Sequence, residues 1–293
     1  MKEKILEIRW HGRGGQGVVT CAELLAKAAI AEGKYAQSNP SFGPERRGAP
    51  VAAFLRISSA PIRLRSQIDS PDIVVVLDPT VLILPDVVAG IKPNGIVIAN
   101  TNKLLEDVKY LLGVNVQLGV VDASKIAMEI IKRPITNTTM MGAFVRATNI
   151  VKVETVKEQL KERFPTNYET NIKAMLRGYE ELEMETDANR TVLKETKVAQ
   201  SAKLPLWQDL PVGLIVQPGS AKAYKTGSWR SMVPVTDATK CIKCGLCWIY
   251  CPDSARFRMP DGTYETNFDY CKGCGVCARE CPSRCITMIE EKE

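Results

Sequence analysis

Cys241, Cys244, Cys247 and Cys251 are followed by Cys271, Cys274, Cys277 and Cys281, and each quartet is spaced C-x2-C-x2-C-x3-C-P, closed by Pro252 or Pro282. Thiolates at this spacing are ligands for a polynuclear iron–sulfur centre. Three of them, three positions apart, wrap one cluster, and the fourth, set off by the proline turn, reaches the neighbouring one. Disulfides or paired zinc sites are the competing readings. Zinc sites normally join two C-x2-C knuckles or add histidine, and do not run four cysteines up to a proline. Two [4Fe–4S] clusters are therefore expected, with crossed ligand sets: Cys241, Cys244, Cys247 and Cys281 for the first, and Cys271, Cys274, Cys277 and Cys251 for the second. The chemistry is one-electron transfer, and cysteine-only ligation points to low potentials. Ile242, Leu246, Ile249, Val276 and Ile286 are suited to sheathing the clusters, and without metal so small a module should be disordered.

The chain that positions these thiols has 293 residues, enough for one ordinary domain besides the cysteine module. Apolar residues make up 45% and charged residues 25%, a globular profile. No apolar run is long enough to span a bilayer and the start, MKEKILEIRW, is unlike a signal peptide, so cytoplasm is expected. The two cysteines outside the quartets, Cys21 and Cys285, are isolated, which fits a reducing compartment. Formal net charge is +6, yet residues 240–293 hold eight Lys/Arg against eight Asp/Glu. The basic excess lies upstream, and each bound cluster would add a charge of about −2 to the module. No recognition motif or aromatic-studded basic stripe accompanies that excess, so nucleic acid is not an expected partner.

Residues 5–10 read as a strand leading into His11-Gly12-Arg13-Gly14-Gly15-Gln16-Gly17, followed by a helix over about 18–32 with Leu24, Leu25 and Ala28 on one face. Gly12, Gly14 and Gly17 satisfy G-x-G-x-x-G. The acidic residue that would hold a ribose about twenty positions on is missing, because the sequence there runs Tyr35-Ala36-Gln37-Ser38-Asn39-Pro40. Tight NAD(P) binding is thus not expected, and the glycines read as permitting close backbone approach to a partner or ligand. The lone histidine, His11, reads as structural. The loop Phe42–Pro50 carries Arg46 and Arg47, and a hairpin is expected over 51–57 and 61–65, with Arg63 and Arg65 on one face. With Arg13, these arginines form either an anion-binding or docking surface or an ordinary solvated face.

Apolar strands are expected at 73–77, 96–99 and 116–121, with helices over 81–91 and 123–132 and a helical region from 138 to about 184, broken near Pro165. The fold class that follows is α/β, a mostly parallel sheet with helices on both faces. Residues 186–212 lack periodicity and read as an extended linker. Trp207 and Trp229 are apolar anchors for an arm lying along another subunit, or else they pack in a core.

The chain resembles the gamma and delta subunits of a 2-oxoacid:ferredoxin oxidoreductase joined in one polypeptide, most like the pyruvate-type enzymes. HGRGGQG at 11–17, YAQSNPSFGPERRGAPV at 35–51 and GSAKAYKTGSWR at 219–230, ahead of the cysteine quartets, carry the likeness. It implies a gamma-type α/β domain over 1–185, a linker and partner-wrapping arm over 186–235, and a small bacterial-type two-[4Fe–4S] ferredoxin domain over 236–293. It further implies alpha and beta partner subunits that carry thiamine diphosphate and Mg, ferredoxin as electron acceptor, and coenzyme A approaching the gamma domain. Gly14, Gly15, Gln16, Gly17, Arg46 and Arg47 are the loop residues that would meet coenzyme A or a subunit interface. No catalytic residue is expected on this chain, which lacks the G-D-G…N-N pattern of a thiamine site; the nearest stretch, Pro260-Asp261-Gly262, lies between the quartets. Pyruvate is the expected substrate, with oxalate or a branched-chain 2-oxoacid as alternatives. An NAD(P)- or flavin-linked reductase and a non-catalytic electron carrier are the rival classes.

Overall fold

The computed structural model describes residues 5–41, 48–84, 86–186, 208, 219–230 and 232–291. It divides into two units, residues 1–201 and 202–293.

In the first unit, β1 (Leu6–Arg13), β4 (Ile73–Val76), β5 (Ile96–Asn100) and β6 (Gln117–Val121) form a parallel centre. Antiparallel strands flank it: β3 (Pro50–Ser58) and then β2 (Tyr35–Ser41) on one side, and the short β7 (Glu183–Met184) on the other. Successive side chains of a strand leave on opposite faces. Ile73, Val75 and Leu77 therefore join one core and Val74 and Val76 the other. The first core is covered by α1 (Val18–Ala31), α3 (Ala123–Ile130), α4 (Asn137–Thr148), α5 (Val153–Arg163) and α6 (Tyr168–Glu180), and the second by α2 (Leu105–Leu112). Helices thus lie on both faces, as the alternation of strands and helices implies.

α4 and α6 cross where both carry glycine. A Cβ on Gly142 would strike the Met175 carbonyl, and one on Gly178 the Thr139 carbonyl. The obstructing atoms are backbone and cannot swing aside. Gly142→Ala should destabilise this unit by about 3 kcal/mol, read as a lower urea midpoint for the loss of helical circular dichroism; an unchanged midpoint would show that the helices can part freely.

Two sequence expectations need correction. Residues 61–65 are not a strand, because both edges of β3 are already taken by β1 and β2. The Arg56 guanidinium instead binds the Ser66 and Gln67 carbonyls, and Arg63 and Arg65 are exposed on irregular chain. The stretch 81–91 forms successive turns after a 3-10 turn at Pro79–Val81, with no α-helix among its described residues. Proline at 85 has no amide proton to give, and the carbonyls of Asp86, Val87 and Ala89 accept from buried Arg9. Of the expected arm over 186–235, the described residues 226–230 and 232–235 pack within the second unit. Thr226 Oγ1 donates to the Tyr270 carbonyl at 2.7 Å, Gly227 N to the Asp269 carbonyl at 2.7 Å, and Trp229 is buried under the Lys272 ammonium, 4.9 Å from its ring centroid. Trp207 and the rest of the linker, apart from Thr186 and Gln208, lie outside the described residues up to 218.

The second unit repeats itself at a 30-residue interval. α7 (Leu246–Ile249) and α8 (Val276–Arg279) are equivalent, and β8 (Met232–Thr236) pairs with β11 (Ile286–Glu290), while β9 (Arg256–Arg258) pairs with β10 (Tyr264–Thr266).

Candidate metal centre

Each quartet wraps because its backbone turns left-handed at matched positions: Lys243, Gly245 and Ser254 in the first repeat, and Gly273, Gly275 and Arg284 in the second. Glycine occupies three of these six sites, in keeping with the resistance of L side chains to that conformation. A Cβ on Gly273 would also run into the Met232 carbonyl, so the turn is pressed against β8. Gly245 and Gly275 each precede a one-turn helix carrying the third cysteine, Cys247 or Cys277.

The thiols gather across the repeats and not within them. A cavity of about 490 Å³ is lined by Cys241, Cys244, Cys247 and Cys281, with Ile242, Tyr264, Cys285 and Ile286 among its walls. A smaller cavity is lined by Cys251, Cys271, Cys274 and Cys277, with Val276 and Met288 beside them. Among the described residues, no three His, Cys, Asp or Glu side chains close on a single metal ion. Four thiols around each cavity, not converging on a single ion, are a donor set that suits a polynuclear iron–sulfur cluster, so the residues fit two [4Fe–4S] groups. Ala255 N donates to Cys251 Sγ at 3.3 Å, a bond that would stabilise the thiolate. Ile249 and Leu246, expected as sheathing, line neither cavity, and Trp248 stacks on Tyr264 at 6.3 Å between centroids. Cys285 is buried with its sulfur 3.5 Å from Cys281 Sγ.

In the first unit, the glycine loop sits at the carboxyl ends of β1 and β4, where ligands of α/β sheets commonly bind. The loop is largely satisfied by its own chain. Gln16 Oε1 accepts from Arg13 N at 2.8 Å while its amide donates to Asp78, and a Cβ on Gly17 would meet the Asn137 side chain. Arg13 is buried, donating to Thr80 Oγ1 at 2.7 Å and to the Gly48 carbonyl at 3.0 Å. Gly14 exchanges backbone bonds with Gly48 and Ala49, which brings the two sequence motifs together, and Gly15 is exposed. Arg46 and Arg47 lie outside the described residues. The network through Asp78, Thr80 and Asn137 escaped the sequence reading; the only sign of it was the Asp-Pro-Thr turn after an apolar strand. Nor does a dinucleotide unit follow the loop. The chain crosses from β1 through α1 to β2, but β3 is inserted between those strands.

His11 accepts from Arg9 Nε at 2.9 Å. Burial, reinforced by the Arg9 charge, pushes its pKa down to about 3. Neutral His11 therefore favours the fold above the unfolded value of about 6.5, and between there and about 3 the unfolded chain binds the extra proton. Stability should fall by about 1.4 kcal/mol per pH unit across that window. Urea midpoints for His11→Gln, which keeps an acceptor but cannot titrate, should fall less steeply between pH 6.5 and 4.5 than those of the parent. Equal slopes would contradict the burial of a neutral imidazole. Cys21 is likewise inert: it is buried, donates to the Asn137 carbonyl at 3.4 Å, and its pKa is pushed far up by desolvation.

A split α/β sheet joined to a module with two crossed thiolate cages defines an oxidoreductase component built for electron transfer. The chain belongs to the pyruvate ferredoxin/flavodoxin oxidoreductase family, which matches residues 7–181, and a 4Fe-4S dicluster domain matches residues 235–288. The gamma subunit common to the pyruvate and ketoisovalerate oxidoreductases of Pyrococcus furiosus is 51% identical over 182 residues, 61% of this chain and 98% of that one. The pyruvate synthase subunit PorC of Thermotoga maritima is 45% identical over 185 residues, covering 61% of this chain and 96% of its own. A crystal structure of the T. maritima pyruvate oxidoreductase subunit superposes with a TM-score of 0.57 at 42% identity, over 62% of this chain and 99% of that one. The 2-oxoglutarate:ferredoxin oxidoreductase of Magnetococcus marinus shares the fold over 85% of this chain and 37% of its own, with a TM-score of 0.51 at 16% identity. These agree with the gamma-type resemblance, and the dicluster match agrees with iron–sulfur chemistry. Among the described residues, no helix is long and apolar enough to cross a membrane.

Proposed function

We propose that this chain is the fused gamma/delta electron-transfer subunit of a thiamine-diphosphate-dependent, coenzyme A-acylating 2-oxoacid:ferredoxin oxidoreductase, acting on pyruvate. The observation that carries the reading is the pair of crossed thiol cages in a chain whose α/β unit belongs to the pyruvate oxidoreductase family. Cys241, Cys244, Cys247 and Cys281 would hold one cluster, and Cys251, Cys271, Cys274 and Cys277 the other; when bound, each supplies a one-electron site. The chain's own part is to fix the two cages beside each other and to wall them with Ile286, Val276 and Met288.

Thiamine diphosphate and Mg belong on alpha and beta partner subunits, since this chain carries no thiamine signature. Ferredoxin is the terminal acceptor in this reading. The M. marinus enzyme was solved with coenzyme A bound. Here the exposed Gly15 is the part of the glycine loop left for coenzyme A or a subunit interface, because Gly14, Gln16 and Gly17 are engaged internally. A cytoplasmic location fits the thiol chemistry. The P. furiosus gamma subunit serves both pyruvate and ketoisovalerate enzymes, so the choice of 2-oxoacid would rest with the partners.

The reading is tested by a benzyl viologen assay of the complex with pyruvate, oxalate, 2-oxoglutarate and 2-oxoisovalerate, each with coenzyme A. The chain alone should be inert and the complex should prefer pyruvate. Reduction with another acid only would overturn the substrate, and reduction by NAD(P)H alone would overturn the class.

A further inference from the structure

Arg256 opens β9, in a hairpin that reads from sequence as a solvated Arg-Phe-Arg alternation, yet it is only 3% exposed. Both of its terminal nitrogens donate to Thr236 Oγ1 at 3.1 Å, and Nη1 also reaches the Tyr264 carbonyl at 3.3 Å. Nη2 lies 3.9 Å from Cys277 Sγ. Among the described residues no carboxylate forms an ion pair with the guanidinium, and its buried Nε has no acceptor at all. A cation buried without a counter-charge is strongly disfavoured in a folded chain.

Its position supplies the missing counter-charge. Arg256 is a wall of both cavities, the one lined by Cys241, Cys244, Cys247 and Cys281 and the one lined by Cys251, Cys271, Cys274 and Cys277. The 30-residue repeat provides an internal comparison: the equivalent position after the second quartet is Ile286, also buried but apolar. The fold therefore accepts an apolar side chain here, and the charge answers another requirement.

We propose that Arg256 is a potential-setting residue shared by both clusters, a buried cation that donates to the Cys277 sulfur and keeps its Nε for an acceptor that the folded chain does not itself provide. Adding one electron to a four-thiolate [4Fe–4S] group takes its core from 2+ to 1+ and its total charge from −2 to −3, with no proton or bond exchanged. A fixed positive charge nearby stabilises the more negative state and raises the potential. Removing the charge lowers both potentials, more so for the cluster held by Cys277.

The test is an EPR-monitored titration of the full chain with dithionite, comparing the parent with Arg256→Met and Arg256→Lys and measuring iron on each sample. The inference rests on the two-cluster reading, which the parent alone decides: about eight irons and two midpoints uphold it, and fewer clusters overturn both. With iron retained, Arg256→Met should lower the reduced-to-oxidised ratio of the Cys277 cluster at least tenfold at fixed potential, equivalent to about 59 mV for one electron. The other cluster should show a smaller fall, and Arg256→Lys should restore most of each. Midpoints unchanged in Arg256→Met would overturn the proposal. If Arg256→Met loses iron, the lysine variant decides: retained iron and near-parent midpoints support a requirement for charge, and loss of iron there too assigns Arg256 to packing.

Discussion

Cys251→Ala should abolish the cluster whose other thiols belong to the opposite quartet and spare the one nearest in sequence. Cys251 lines the cavity with Cys271, Cys274 and Cys277, while Cys241, Cys244 and Cys247 share theirs with Cys281. Iron should drop from about eight per chain to about four, and the magnetic coupling between two reduced clusters should give way to a single uncoupled EPR signal. Cys281→Ala should give the mirror result, losing the cluster of the first quartet. Assignment of the surviving signal comes from pairing each substitution with a second in the quartet expected to survive. Cys251→Ala combined with Cys244→Ala should leave neither cluster, whereas Cys251→Ala combined with Cys274→Ala should still hold one. The opposite pattern would mean that each quartet serves itself.

Lys109→Met should cost the α/β unit about 3–5 kcal/mol. Lys109 Nζ lies 2.7 Å from Glu185, with side-chain exposures of 2% and 4%, and it also donates to the Val116 carbonyl at 2.8 Å. The pair links α2 to the chain just beyond β7, joining segments 76 residues apart. Methionine has comparable length but no charge, so the variant leaves the Glu185 carboxylate buried without its cation. Adding Glu185→Leu should recover much of the loss, because replacing both charges removes the desolvation cost along with the attraction. Urea midpoints for the parent, both single variants and the double variant form the required cycle. Additive losses would show that the two groups are stabilised independently.

The two cysteine quartets were legible because their pattern is local: three-residue spacing, a closing proline, and a second copy 30 residues on. The central strands were legible from apolar runs such as Ile73–Val76, which a parallel strand covered on both faces requires. What escaped depends on distant partners. The run 61–65 has strand-like composition, but both edges of β3, its expected hairpin partner, are taken by β1 and β2. α2 is signalled in the sequence only by Glu106 and Asp107 in its first turn and by Gly113 at its end, which the structure shows to be left-handed. The locking of Gln16 onto Asp78, and of Gly17 against Asn137, joins residues 62 and more positions apart, and no periodicity announces it. Arg256 escaped because an arginine in a short polar hairpin reads as solvated, and only its burial between the two cages reveals otherwise. Trp229 had two readings in sequence, and the structure packs it within its own unit.

The relay role is tested most directly by rapid-freeze EPR of the assembled complex, mixed with pyruvate and coenzyme A in the absence of any acceptor. Both clusters of this chain should become reduced within the time of one turnover, and the signal of the cluster assigned to Cys271, Cys274 and Cys277 should vanish in the Cys251→Ala complex. Clusters that stay oxidised while added ferredoxin is reduced at the normal rate would contradict electron transfer through this chain.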